Sequence, residues 1–434
     1  MEKYILPDIP NLHQIDVYEQ HGGYTALKKA LQMKPDEIID EVKKSGLRGR
    51  GGACFPTGLK WSFMPKGNDK PKYLAVNGDE SEPGTFKDRQ IFEFNPHVMI
   101  EGILIGCYAM GITTAYIYIR GEYRKWVKMV DKALADAYAK GYIGENILGT
   151  GFSTNIYTHM GAGAYICGEE SALMNSLEGE RGYPRVKPPF PAQKGLWGMP
   201  TTINNVETMS NVPLIINKGA EWYSKIGAPK HPGPILVGIS GHVNKPGVYE
   251  VPTGVPLLTL INDPQYGGGV PGGKKIKAVI PGGSSTMVLR GENLEGVCMD
   301  AESLKAAGSS VGTAGLIVMD EDTDIVKVLA RISHFYHHES CGQCTPCREG
   351  TGWLEKMLHR FERNEARQED VDLLVEVANQ IEGNTICALG DAAAWPVQSF
   401  VKRFREEFEK RACAPSYSVS ALGHVKVPEK VEAA

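Results

Sequence analysis

Cys341, Cys344 and Cys347 stand at two-residue intervals in Cys341-Gly342-Gln343-Cys344-Thr345-Pro346-Cys347, and Cys387 follows roughly 40 residues later. Three thiols so spaced surround one small volume when the chain curls into a turn, and a remote fourth closes the coordination sphere. A C-x2-C-x2-C run with a distant fourth cysteine is an iron–sulfur cluster spacing, whose chemistry is one-electron transfer. Structural zinc pairs two C-x2-C knuckles, or cysteines with histidines. His337 and His338 lie just upstream, so zinc is the competing reading. Pro346 stiffens the turn. Arg348 either offsets thiolate charge or is simply solvated. The other five of the nine cysteines, Cys54, Cys107, Cys167, Cys298 and Cys413, are scattered. A secreted disulfide framework would be denser and shorter, so a reduced, cytosolic chain with a metal site is expected.

Four loops upstream have the composition of ligand sites. Gly46-Leu47-Arg48-Gly49-Arg50-Gly51-Gly52 combines glycines, which let backbone amides approach an anion, with arginines that pair with phosphate. It is not a GxGxxG fingerprint and predicts no ordinary dinucleotide crossover. Asn77-Gly78-Asp79-Glu80-Ser81-Glu82-Pro83-Gly84 follows an apolar strand, where ligands bind in open α/β sheets. Its carboxylates suit ribose or ribityl hydroxyls and repel a 2′-phosphate, favouring NADH over NADPH; an exposed acidic turn is the alternative. Gly161-Ala162-Gly163-Ala164-Tyr165-Ile166-Cys167-Gly168-Glu169-Glu170 leads into a helix, with Tyr165 as a flat surface and Cys167 as a small buried residue. Thr202-Ile203-Asn204-Asn205-Val206-Glu207-Thr208 offers amides for the edge of a flavin ring, or is a turn.

The elements that must position these loops alternate strand and helix. A helix is predicted over 24–44, strands at 73–76, 115–119 and 155–157, and helices over 96–110 and 122–140, which implies a largely parallel sheet. Pro96 suits a first helical turn. After about residue 225 short strands at 235–238, 247–251, 277–280 and 316–319 predict a small sheet-rich domain. From Thr323 four helices, 323–338, 345–363, 368–382 and 391–411, read as a bundle.

A length of 434 residues allows two to four domains. Hydrophobic content of 42% and charged content of 23% are those of an ordinary globular chain, and a net charge of −4 argues against nucleic acid as the main partner. No signal-type segment opens the sequence, and the apolar run Gly102 to Ile112 is too short to span a bilayer. Direct membrane insertion is therefore not expected.

Taken in this order, the loops and cysteines resemble the NADH-binding, FMN-containing subunit of respiratory complex I (NADH–quinone oxidoreductase), through essentially the whole chain. The motifs that carry the resemblance are Gly49-Arg50-Gly51-Gly52 through Phe55-Pro56-Thr57-Gly58-Leu59-Lys60-Trp61, Asn77 to Gly84, Gly168-Glu169-Glu170, Asn204-Asn205 and the four cysteines. The resemblance implies an α/β Rossmann-like domain (1–225), a ubiquitin-like β-grasp domain (226–322) and a C-terminal four-helix bundle (323–434). It implies FMN held among Gly49, Arg50, Gly51, Gly52, Lys60, Asn77, Asp79, Glu80, Ser81, Tyr165, Gly168, Glu169, Asn204, Asn205 and Thr208. NADH would meet Phe55, Phe63, Glu82, Glu170, Lys187 and Phe190, and a [4Fe–4S] cluster would sit on Cys341, Cys344, Cys347 and Cys387. No residue is expected to act as catalytic acid or base, because the cofactor carries the reaction. Implied partners are other redox subunits, among them a small [2Fe–2S] thioredoxin-like subunit and a larger multi-cluster subunit. The implied location is cytoplasmic, peripheral on that side of a membrane complex. The alternative of the same chemistry is a diaphorase subunit of an NAD-linked hydrogenase or formate dehydrogenase. Those often carry ferredoxin- or thioredoxin-like segments, for which no room is expected before the first loop or after Cys413. In one place the chain departs from the family: Cys54 stands where the family has glycine. If that position has positive φ, cysteine costs roughly 1 kcal/mol or more.

Overall fold

The computed structural model describes residues 2–67 and 70–415; positions 416–434 of the C-terminal segment lie outside the described residues. Four strands form a parallel sheet: β1 (Tyr73–Gly78), β2 (Thr114–Ile119), β3 (Asn155–Met160) and β4 (Thr201–Asn205), in spatial order β3-β2-β1-β4. β1 pairs with β2 from Tyr73↔Thr114 to Gly78↔Ile119, and with β4 from Tyr73↔Thr201 to Asn77↔Asn205. The first three strands are those the apolar pattern predicts. β4 lies where the sequence suggests a turn or an amide-bearing segment, and it is a strand. Its threonines supply β-branching without apolar character, so the hydrophobic signal is weak.

The helix Pro96–Met110 is buried nearly all round, with Pro96 in its first turn and Gly111 in the left-handed conformation ending it. It crosses the helix Val206–Lys218 so closely that a Cβ on Gly102 would stand 2.0 Å from the Met209 carbonyl oxygen. The helix expected over 24–44 is two, Thr25–Ala30 and Pro35–Lys44. Pro35 has no N–H to continue the first and disfavours helical geometry at Lys34, but fits the first turn of the second. A further helix, Ile15–Gln20, precedes them.

A ribbon of β5 (Gly227–Ala228) and β6 (His231–Pro232) leads into a mixed sheet. Its strands are β7 (Pro234–Gly241), β8 (Gly247–Pro252), β9 (Ile276–Ile280), β10 (Leu289–Arg290) and β11 (Gly315–Asp320), in order β10-β9-β11-β7-β8. Short helices Leu257–Asn262 and Ala301–Ala306, not evident in the sequence pattern, pack into its core. The helices Ile325–Glu339, Thr345–Glu362, Gln368–Ile381 and Leu389–Arg403 bury Leu329, Leu358, Phe361, Leu374 and Phe400 together. The predicted helix 391–411 breaks at Phe404 (φ −133°, ψ 34°), and Arg405–Glu409 follows as a separate turn. Among the described residues no helix is long and apolar enough to cross a membrane.

Candidate functional site

The chain runs from β1 to β2 to β3 in one direction across the sheet and then returns to place β4 on the other side of β1. That reversal leaves a crevice between β1 and β4 at their C-terminal ends, where open α/β sheets bind ligands. Three glycine-bearing loops close on it. The Arg50 N–H donates to Thr208 Oγ1 at 2.8 Å, and Gly51 lies so near that a Cβ would stand 2.9 Å from Asn205 Cβ. Asn77 ties the loop after β1 to the loop after β3: its Nδ2 donates to the Gly168 carbonyl at 2.8 Å, and its Oδ1 accepts from the Asp79 N–H at 3.0 Å. Gly49–Gly52, Asn77–Ser81, Tyr165–Gly168 and Asn204–Thr208 thus come together.

Asp79 is the carboxylate left with an open valence. Its Oδ2 accepts from the Ser81 hydroxyl at 2.8 Å, while its Oδ1 is buried without a partner. Burial, only partly countered by Ser81 and Arg120, raises its pKa from 3.8 to about 7. An orphaned buried acceptor beside a glycine-lined crevice fits the hydroxyl chain of FMN, whose hydroxyl groups are hydrogen-bond donors. A pKa raised on folding contributes stability that is present below about 4 and lost as pH rises through 7. The flavin-free chain should therefore weaken between pH 5 and 8, with Asp79's share about 2–4 kcal/mol. Asp79→Asn should remove that share in denaturant titrations at the two pH values; an unchanged pH dependence would refute it.

Several expected ligands have protein partners of their own. The Arg50 guanidinium, expected on phosphate, is buried against His231 and the Pro232 carbonyl. The partners lie about 180 residues away, which local composition does not reveal. The Glu80 carboxylate, expected on ligand hydroxyls, accepts from the N–H groups of Lys87 (2.7 Å) and Asp88 (2.7 Å) and from Tyr123 Oη (3.0 Å). It closes the start of the helix Asp88–Phe94 rather than facing the crevice. Glu169 caps the helix Glu170–Leu177 through the N–H groups of Ser171 and Ala172 and holds Lys187 Nζ at 3.0 Å. Asn204 Oδ1 accepts from Trp61 Nε1 at 3.0 Å. Asn205 caps Val206–Lys218 through its Oδ1, and its Nδ2 donates to Asp88 at 2.7 Å. An asparagine directly before a helical run was the available signal for that cap.

The rim is aromatic and charged. Phe55, Phe63 and Phe190 are 43%, 54% and 55% exposed, unusual for rings of this size, and Phe55 and Phe63 lie with centroids 6.2 Å apart. Between crevice and rim, Glu170 bridges Lys187 Nζ (2.7 Å) and Lys60 Nζ (3.1 Å). Burial raises the Glu170 pKa, but Lys60 and Lys187 together bring it below the ordinary range. Glu82, by contrast, is buried, accepting from Tyr165 Oη at 2.6 Å and from the Ser285 N–H at 2.7 Å. Cys54 does hold positive φ, 51°. Its side chain packs on the core of the mixed sheet, which offsets part of the backbone cost.

The cysteine turn lies between Ile325–Glu339 and Thr345–Glu362, with Gly342 at φ 77° allowing the reversal; Cys387 approaches from the start of Leu389–Arg403. All four are free thiols. Burial above all, with the neighbouring cysteines adding to it, pushes Cys347 up to about 11. Burial likewise takes Cys387 to about 12, with Glu169, Cys341 and Cys347 close enough to contribute. All four pack into or against one apolar cluster with Tyr336 and Leu389. The histidines of the zinc reading are turned away: His337 bonds Glu355, and His338 Nδ1 lies 3.2 Å from Glu339. Among the described residues no three His, Cys, Asp or Glu side chains are placed to hold a single metal ion. Four soft sulfurs against one apolar cluster suit an iron–sulfur cluster.

Three family models match successive parts of the chain. A family model described as the Nuo51 FMN-binding domain matches residues 42–214, an SLBB domain matches 236–328, and the NADH-ubiquinone oxidoreductase-F iron-sulfur binding region matches 327–411. The NADH-quinone oxidoreductase F subunit of Rickettsia bellii (strain OSU 85-389) is 54% identical over 92% of this chain and 95% of its own. A like-named F subunit of Rhizobium meliloti (strain 1021) is 53% identical over 94% and 97%. A solved NAD+-reducing [NiFe]-hydrogenase in the H2-reduced state superposes with a TM-score of 0.82 at 33% identity, over 92% of this chain and 67% of that one. With flavin crevice, SLBB region and cysteine pocket in this order, the chain belongs to the family of the NADH-quinone oxidoreductase F subunit.

Proposed function

We propose that this chain is an NADH dehydrogenase flavoprotein subunit: it oxidises NADH at the β1/β4 crevice and delivers the electrons to partner subunits on the way to quinone. One observation carries the reading. Ala75 of β1, Tyr118 of β2 and Ile166, Cys167 and Leu173 beside the crevice belong to one continuous apolar core with Tyr336, Cys347 and Leu389 around the cysteines. Donor and acceptor sites are thus joined by closely packed apolar protein. Bound FMN supplies two-electron acceptance from NADH and single-electron release, and the [4Fe–4S] cluster supplies one-electron carriage.

The chain's own groups orient and shield. Asp79, Asn77, Lys60 and the amides of the Gly49–Gly52 loop hold the flavin, with Gly168, Ser81 and Thr208 shaping its bed. Cys341, Cys344, Cys347 and Cys387 bind the cluster. Phe55, Phe63 and Phe190 stack on the bases of NADH, while Glu170 and Lys187 take its polar groups. Glu170→Gln should raise the nucleotide Kd about ten-fold or more, the scale of a charged hydrogen bond, with flavin retained. Titration of the flavin spectrum with NADH measures this; flavin loss at unchanged nucleotide affinity would oppose it.

The proposed divisions are 1–225, 226–322 and 323–434, the middle unit being a ubiquitin-like β-grasp and the last a four-helix bundle. The proposed partners are a small [2Fe–2S] thioredoxin-like subunit and a larger multi-cluster subunit, at the cytoplasmic face of a membrane complex. The diaphorase alternative is less favoured, because this chain is 54% identical to the Rickettsia bellii F subunit but 33% identical to the hydrogenase chain. The test is an anaerobic visible spectrum of the purified chain before and after NADH. Flavin and cluster absorption that both bleach support the reading; a colourless protein opposes it.

A further inference from the structure

We infer that Asp88, with its charge held by Lys87, is a positioning residue for the flavin: it sets which way the Asn205 carboxamide faces at the crevice. The inference rests on the proposed flavin site. A carboxamide's oxygen and nitrogen ends have nearly the same shape, so only its partners decide its orientation. Asn205 Oδ1 accepts from the Glu207 N–H (2.9 Å) and the Thr208 N–H (3.4 Å), and Nδ2 donates to Asp88 Oδ2 at 2.7 Å. The nearest further acceptor for Nδ2 is the Asn77 carbonyl, at 3.5 Å. A second amide hydrogen is therefore weakly held and free for a ligand.

Asp88 is in turn fixed from behind. Lys87 Nζ lies 2.9 Å from Asp88 Oδ1 and 2.6 Å from Glu207 Oε2, and none of the three side chains is more than 5% exposed. Glu207 Oε1 accepts from the Leu236 N–H at 2.9 Å, so the network also anchors the mixed sheet. With an ionised acceptor held there, a flipped Asn205 would set its oxygen against a buried carboxylate. The charged bond rules that flip out. Asn205 is half-buried against Gly51 and is where this chain of bonds reaches the crevice.

The test is FMN binding to the purified, flavin-stripped full chain, read by flavin fluorescence quenching. Asp88→Asn and Asn205→Ala should each weaken FMN about ten-fold, and the double variant should bind no worse than Asn205→Ala alone, because the two act through one contact. The flavin midpoint potential should also move in Asp88→Asn. A ten-fold change in the ratio of affinities for reduced and oxidised flavin reads as about 30 mV. Additive losses, or a lowered melting point with FMN affinity unchanged, overturn the proposal. Should Asp88→Asn not fold, Asn205→Asp sets two carboxylates face to face and should lose FMN more completely than Asn205→Ala; equal losses overturn it. Absence of FMN binding by the wild-type chain would instead overturn the proposed function itself.

Discussion

Cys387→Ser should empty the cluster pocket while leaving the flavin reducible by NADH. Cys341, Cys344 and Cys347 arrive on one turn, but Cys387 comes from the segment between the helices Gln368–Ile381 and Leu389–Arg403 and closes the pocket. A serine hydroxyl is a much harder and less acidic ligand than a thiol, so the iron is lost. The substitution is nearly isosteric and leaves the apolar core around it intact. The brown absorption and the bound iron should vanish, and so should NADH-driven reduction of any acceptor served by the cluster. Reduction of a small dye that takes electrons directly from flavin should continue at close to the wild-type rate. Retained iron, or equal loss in both assays, would remove Cys387 from the ligand set.

Lys87→Met should be the most damaging single change to stability away from the cysteines. Burial alone would lower the Lys87 pKa, but Asp88, Glu207 and Glu80 outweigh it and hold the ammonium charged. Removing it strands carboxylates in the interior, which typically costs about 3–5 kcal/mol. Arg50, the other cation near Glu207, is already committed to His231 and Pro232. Glu207, raised by burial and now without its main counter-ion, folds readily only when protonated, so the deficit is small in acid and grows toward neutral pH. Denaturant titrations at pH 5 and 8 measure this; a deficit that is absent, or larger at pH 5, would contradict it.

What could be read from the sequence divides along physical lines. The cysteine set and the glycine loops carry their chemistry in residue type and spacing, so the cluster and crevice loops were legible. Orientation was not. Asp79 and Glu80 are neighbours with the same functional group, yet one faces the crevice and the other the start of a helix. Only the later position of Asp88–Phe94 decides between them. Arg50 is likewise claimed by His231, a contact no local window contains. β4 escaped notice because a Thr-Thr-Ile-Asn-Asn strand gains its place from pairing with β1, not from apolar periodicity.

The pairing of β4 with β1 also sets an order of events during synthesis. Residues 73–78 leave the ribosome long before residues 201–205, so the crevice between them has only one wall for much of translation. The glycine loop at 49–52 waits equally long for the Asn205 against which it packs. Flavin loading at this crevice consequently has to wait for residues 201–205, and closing of the cysteine pocket has to wait for residue 387. A chain released before residue 205 has nowhere to put its first cofactor.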